Sequence, residues 1–209
     1  MIRLLVFDQH PIVHFGFERI ASQTRKIKLL TPIYGDKQLL SILKSRKVDV
    51  LLMEIENHTT SLICFIEKIR VQFPEVKIII YTYHPASVFA NTLLKSGAQG
   101  FISKRTHYKG ILEAIEFVYK SDDFVVSKHG NELDYNINLA RPRNILGTLT
   151  PKELQILKYL MEGRKNTFIA EKMKVSPKTI HTYKKRLSEK LGTNNFCQLN
   201  THKKLLGFY

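Results

Sequence analysis

The stretch SPKTIHTYKKRLSEKL, Ser176 to Leu191, decides how the chain is read. Ser176 is a good N-cap, because its hydroxyl can accept from a free backbone amide one turn on. Pro177 follows at the first helical position, where it has no hydrogen bond to lose. Ile180, Tyr183, Leu187 and Leu191 recur at three- and four-residue steps, so they share a face that is expected to be buried. Lys178, His181, Thr182 and Lys185 are left pointing outward together. A helix with an apolar back and such a front fits the major groove of DNA in shape and charge. The same pattern also describes an ordinary surface helix with a solvated basic face, so the surrounding chain has to decide.

Immediately upstream, Thr150 precedes Pro151 and is followed three residues later by Glu153, a capping box that opens a helix carrying Leu154, Leu157 and Leu160. Gly163 ends that helix. Asn166 is expected to cap the next, with Ile169, Ala170 and Met173 inward. A tight turn through Lys174 and Val175 leads into the Ser176 helix, and the pair reads as a helix-turn-helix. Gly192 closes it. A last helix is expected from about Phe196 to Leu206, followed by Gly207.

The chain has 209 residues and a formal net charge of +15, unevenly spread. Residues 149–209 hold 13 basic against 4 acidic residues, +9 in under a third of the length; residues 1–121 carry +7 and residues 122–148 carry −1. Such a field favours a polyanion. No run of apolar residues is long enough for a membrane span, and the start lacks the layout of a signal peptide. Cys64 and Cys197, the only cysteines, have neither metal-ligand nor disulfide-framework spacing. They read as reduced thiols in a cytoplasmic protein.

Farther upstream, short apolar runs alternate with helical patterns. Strands are expected at Ile2–Phe7, Ile27–Ile33, Val50–Ile55, Val76–Tyr81 and Gly100–Ser103. Helices are expected at His10–Ser22, Lys37–Leu43, Leu62–Phe73, Ala86–Lys95 and Tyr108–Tyr119. In the first helix Ile12, Phe15 and Ile20 are among the apolar positions. This alternation implies a parallel sheet with helices on both faces, and a site at the carboxyl ends of the strands. Residues 123–147 are rich in Asn, Asp, Gly and Pro and read as a linker, with a short ordered piece around Leu133–Leu139. The fold class is therefore α/β plus all-α, divided as 1–122, 123–147 and 148–209.

The run from Leu149 to Gly192 resembles the LuxR/NarL-type DNA-binding domain. The matching residues include Leu149, Thr150, Glu153, Leu157, Gly163, Asn166, Ile169, Ala170, Val175, Ser176, Thr179, Ile180, Leu187, Lys190, Leu191 and Gly192. FDQHPIV, LLMEI, YTYH and GFISK resemble a response-regulator receiver of flavodoxin-like (βα)5 fold. The whole is similar to NarL/FixJ-type response regulators, in particular to BvgA/EvgA-like members. This implies a four-helix C-terminal domain whose third helix enters the major groove and whose last helix pairs two chains. It further implies that His181, Thr182 and Lys185 meet bases, with Lys178 and Thr179 beside them. Lys165, Asn166, Thr167, Ser176 and Lys184 are better placed for phosphates. The implied partners are double-stranded DNA, a second copy and, alternatively, another regulator in a heterodimer; no membrane is implied.

By the same resemblance, a working receiver needs two carboxylates after strand one for Mg²⁺, and an aspartate after strand three to accept phosphate. It also needs Ser or Thr after strand four and Lys after strand five. This chain has Asp8 but Gln9, and Glu54 at the acceptor position; Thr82 and Lys104 remain, and Phe101 fits the aromatic switch position. Asp8, Glu54 and Lys104 net −1 where the usual set nets −2, so Mg²⁺ binding should be weak. The extra methylene of Glu54 displaces its oxygen by about 1 Å, and misplacement on that scale costs on the order of 100-fold. An atypical receiver follows, independent of aspartyl phosphorylation. Either Glu54 stands in for the phosphorylated state, or a partner or ligand switches the receiver, or the receiver serves only for dimerisation, or the pocket has simply decayed. No nucleophile constellation, phosphate loop, metal cluster or cofactor motif is present, so no enzymatic activity or cofactor is expected. The expected function is sequence-specific transcriptional regulation; the alternative is an auxiliary protein that pairs with or sequesters another regulator.

Overall fold

A computed structural model describes residues 1–56, 62–127, 132–135, 149–191 and 193–200. The chain divides into two compact units. The first is built on a sheet of β1 (Ile2–Phe7), β2 (Ile27–Leu29), β3 (Val50–Met53), β4 (Lys77–Thr82), β5 (Gly100–Ser103), β6 (Val125–Ser127) and β7 (Leu133–Tyr135), in the order β2-β1-β3-β4-β5-β6-β7. The first six strands run parallel and β7 is antiparallel to β6. Between them lie α1 (Pro11–Ser22), α2 (Asp36–Ser45), α3 (Leu62–Gln72), α4 (Ala86–Lys95) and α5 (Tyr108–Lys120).

Strand β3 is apolar throughout, and β1 and β4 over most of their length, because helices cover both faces. Val50 and Leu52 share a buried cluster with Ile79, Phe17 of α1, and Ile111, Ala114, Ile115 and Val118 of α5. Leu51 and Met53 alternate to the opposite face and are equally buried. All the site residues of this unit follow from that frame, since β1, β3, β4 and β5 end beside one another.

Several local expectations need correction. β2 stops at Leu29, leaving only an isolated bridge between Phe7 and Ile33; Pro32 has no amide to donate to a ladder. β3 stops at Met53, so Glu54 is the first residue beyond the strand. In α1, Ile12 and Phe15 are exposed while His14 and Phe17 are buried. The helix phase is set by Phe17 in the core and by His14 Nε2, which lies 2.7 Å from the Asp8 carbonyl oxygen. Within residues 123–147, expected to be linker, β6 and β7 extend the sheet beyond the five anticipated strands. Residues 136–139 lie outside the described residues.

The second unit contains α6 (Pro151–Met161), α7 (Asn166–Met173), α8 (Pro177–Leu191) and α9 (Cys197–Asn200). The capping box forms: Glu153 N donates to Thr150 Oγ1 at 3.2 Å, and Thr150 N to Glu153 Oε2 at 2.8 Å. Gly163 leaves α6 at φ +71°. The cap of α7 is Lys165, with no side-chain bond; Asn166 is already the first helical residue, one position inside its expected place. Lys174 turns the chain through a left-handed conformation, φ 52° and ψ 47°. Ile156, Leu157, Ile169, Ile180, Leu187, Leu191 and Leu199 form the buried interior. Tyr183, expected to be buried with them, is only half-buried. Gly192, residues 201–206 and Gly207 lie outside the described residues.

Candidate nucleic-acid interface and receiver pocket

Helix α8 starts at the expected cap. Thr179 N donates to Ser176 Oγ at 3.1 Å, and Thr179 Oγ1 lies 2.9 Å from the same oxygen. The Ser176 hydroxyl is therefore already engaged within the helix. Lys178, His181, Thr182 and Lys185 are exposed; Thr179 and Lys184 are half-buried. Positions 178, 182 and 185 lie four and three apart, so the three side chains share one face. Thr182 Oγ1 donates to Lys178 O at 3.2 Å, which leaves its methyl free to point outward. On α7 and its cap, Lys165 and Thr167 are exposed and Asn166 is half-buried. His181, Lys184, Lys185, Ser188, Asn194 and Phe196 line an open groove of about 470 Å³ along α8.

Three features here escaped the sequence reading. Lys190, in the last turn of α8, reaches both oxygens of Glu153, at 2.7 and 3.0 Å. That lysine, with a bond from the Thr150 amide, holds the Glu153 carboxyl below the usual carboxylate range. Phe168 carries two cations on its ring, Arg164 at 5.2 Å and Lys172 at 5.8 Å from the centroid. Both lie four residues from Phe168, a spacing the sequence does contain. Arg186, beside Lys185, is exposed as well.

In the first unit, the strand ends bring Asp8, Glu54 and Lys104 together. Lys104 Nζ stands 2.6 Å from Asp8 Oδ2 and 2.6 Å from Glu54 Oε2. Glu54 Oε1 accepts from Ile55 N at 2.8 Å. Asp8 Oδ1 takes His10 N at 2.8 Å and lies 2.7 Å from His10 Nδ1. Burial opposes ionisation of Asp8, but the bonds from Lys104 and His10 outweigh it and its carboxyl lies below the usual range. Burial likewise opposes the charge on Lys104, and the two carboxylates outweigh it, raising its pKa. Burial pushes the phenol of Tyr81 up to about 12; the Lys104 ammonium lies 5.7 Å from that ring and 5.5 Å from Tyr83.

Thr82 is fully buried, and its hydroxyl accepts from His84 N at 3.3 Å. Phe101 is fully buried, whereas Gln9 is exposed. His84 lies 3.2 Å from Glu56 Oε1, a pair not anticipated. No group of three or more His, Cys, Asp or Glu able to hold a metal ion occurs among the described residues. No helix among them is long and apolar enough to cross a membrane.

A parallel-sheet unit with an acidic and basic cluster at its strand ends, joined to a helix-turn-helix, defines a two-domain regulator. Residues 4–116 match the response regulator receiver domain, and residues 147–202 match the bacterial regulatory proteins of the luxR family. The chain is 30% identical to the oxygen regulatory protein NreC of Staphylococcus aureus, covering 99% of this chain and 100% of that protein. It is 27% identical to the response regulator UvrY of Escherichia coli K12, covering 97% of this chain and 93% of that protein. Among solved structures, RcsB from Salmonella enterica serovar Typhimurium shares the fold, with a TM-score of 0.60 and 22% identity over 100% of this chain and 99% of that one. The chain belongs to the NarL/FixJ-type response regulators, DNA-binding regulators with a LuxR-type C-terminal domain.

Proposed function

We propose that this protein is a sequence-specific transcription regulator that binds duplex DNA as a homodimer and whose receiver works without aspartyl phosphorylation. Lys178, Thr179, His181, Thr182 and Lys185 read the major groove; Lys165, Asn166, Thr167, Ser176 and Lys184 contact phosphates and fix register. The exposed face of α8 and the +9 charge of residues 149–209 support this. So does the structural likeness to RcsB, which has been solved on promoter DNA and as two dimers on two parallel DNAs. The protein is cytoplasmic, and neither catalysis nor a cofactor enters its action.

The observation that carries the phosphorylation-independent reading is the position of Lys104, 2.6 Å from both carboxylates. One ammonium shared by two carboxylates leaves little residual charge to recruit a divalent cation. Glu54 places a carboxylate oxygen on the lysine that, by family resemblance, would otherwise meet a phosphoryl oxygen. Footprinting across the genome with wild type and Glu54→Ala tests both halves. Discrete sites that weaken in the variant are expected. Binding with no preference among fragments would overturn the transcriptional reading. Capture of another regulator as the main partner, with weak DNA binding alone, would establish the auxiliary role instead.

A further inference from the structure

Strands β6 and β7 are attached to the strand that ends at the pocket. β6 pairs with β5 through Gly100 opposite Val125 and Phe101 opposite Val126. One step on, a side chain replaces the backbone ladder: Ser103 N donates to Ser127 Oγ at 2.7 Å. Ser127 is 3% exposed, so the accepting end of this bond is shielded from water. On the other edge of β5, Lys104 N donates to Thr82 O at 2.8 Å. The backbone that presents the Lys104 ammonium is thus held from both sides, by β4 and by Ser127.

The attachment is close. A Cβ on Gly100 would lie 3.1 Å from Ile79 Cγ1 and 3.3 Å from Val125 Cγ1, so a side chain there would press on both β4 and β6 and oblige them to give by a few tenths of an ångström. β7 is tied to the same body through Tyr135, whose ring lies 4.6 Å from that of Phe117 on α5. Phe101, fully buried, is in register with Val126. Among these attachments the Ser103–Ser127 bond is the one nearest in the chain to Lys104.

We propose that Ser127 is a positioning residue and that the β6–β7 pair is the output element of the receiver. It senses the strand end that carries Lys104, so that the state of the Asp8–Lys104–Glu54 cluster is felt in β6 and β7. This rests on the cluster being the regulated site. Coupling of this kind is reciprocal, so loosening β6 must also loosen the pocket. A pair of strands that merely protects the edge of the sheet would show no such reciprocity.

Hydrogen exchange on the full chain separates the two. Glu54→Gln is expected to change exchange in residues 124–135, and Ser127→Ala to raise it at residues 100–106, each by roughly three- to tenfold, the worth of one hydrogen bond. In Ser127→Ala the effect of Glu54→Gln on residues 124–135 should vanish, while Ser127→Thr, which keeps the hydroxyl, should restore it. If Glu54→Gln leaves residues 124–135 unchanged in the wild-type background, or acts equally with and without Ser127, the proposal fails. That outcome is independent of DNA affinity, so failure of the transcriptional reading would be recognised separately.

Discussion

Lys190 Nζ closes on Glu153 across 2.7 Å, tying the last turn of α8 to the capping box that begins α6. Glu153 is 6% exposed in its side chain and Lys190 39%, so the carboxylate is the partner that loses more when the pair is broken. Removing Lys190 leaves Glu153 still bonded to the Thr150 amide. Removing Glu153 abolishes the capping box as well. Lys190→Met should therefore cost about 1 kcal/mol, and Glu153→Ala about 1–2 kcal/mol beyond that. Denaturant midpoints of the C-terminal unit in the full chain would show that order; equal losses would mean that the pair, not the cap, dominates.

Lys185 and Lys184 are adjacent but differently displayed, one exposed and one half-buried. Lys185→Ala should cost roughly 1–3 kcal/mol on a preferred site and little on random DNA, while Lys184→Ala should weaken both alike. The salt dependence separates them further: losing a phosphate contact lowers the slope of log K against log salt by about 0.9. Titrations at several salt concentrations on specific and random duplexes supply both readouts.

Acetyl phosphate should not modify Glu54 in the wild-type protein. Intact-mass spectrometry after incubation with Mg²⁺ is the measurement, and stoichiometric uptake at Glu54 would refute the phosphorylation-independent reading. The double variant Gln9→Asp, Glu54→Asp restores a third carboxylate around Lys104 and removes the extra methylene. It should gain both Mg²⁺ affinity and phosphoryl uptake.

The pH dependence follows from the same cluster. Asp8 is held below its usual 3.8, so its contribution to stability is present above that value and is lost as the pH falls through its lower folded pKa. Lys104 is raised above its usual 10.5, so its contribution is complete below that value and is lost as the pH rises through its higher folded pKa. Tyr81, pushed up from 10.0 to about 12, acts in the same alkaline direction. Thermal midpoints should be flat between these limits and fall outside them. Lys104→Met leaves two buried carboxylates without their cation, a loss of roughly 3–5 kcal/mol at neutral pH. Its midpoint should rise, not fall, on mild acidification.

Much of this architecture is legible in the sequence because it is locally encoded. Val50–Met53 and Ile78–Ile80 are apolar in unbroken runs, and Ser176, Thr150 and Gly163 mark helix ends by their own chemistry. β6 and β7 are different: three residues each, in an Asn- and Asp-rich segment, they become strands only because β5 offers an unpaired edge. The phase of α1 was hidden for a similar reason. His14 is inside because Asp8 presents a carbonyl oxygen to it, a relation no periodicity count contains. Asp8, Glu54 and Lys104 were found as a group only through the family resemblance, since they lie far apart in sequence. The Glu153–Lys190 pair, 37 residues apart, had no local signal at all.

The cap at Ser176 has a geometric corollary. An α-helix turns by about 100° per residue, and the compass bearing of α8 is set by Ile180, Leu187 and Leu191, all fully buried. The 3.1 Å bond from the Thr179 amide to Ser176 ties the first turn to that bearing. Loss of the Ser176 hydroxyl is expected to loosen Lys178 and Thr179 while Thr182 and Lys185, farther along the rod, keep their direction.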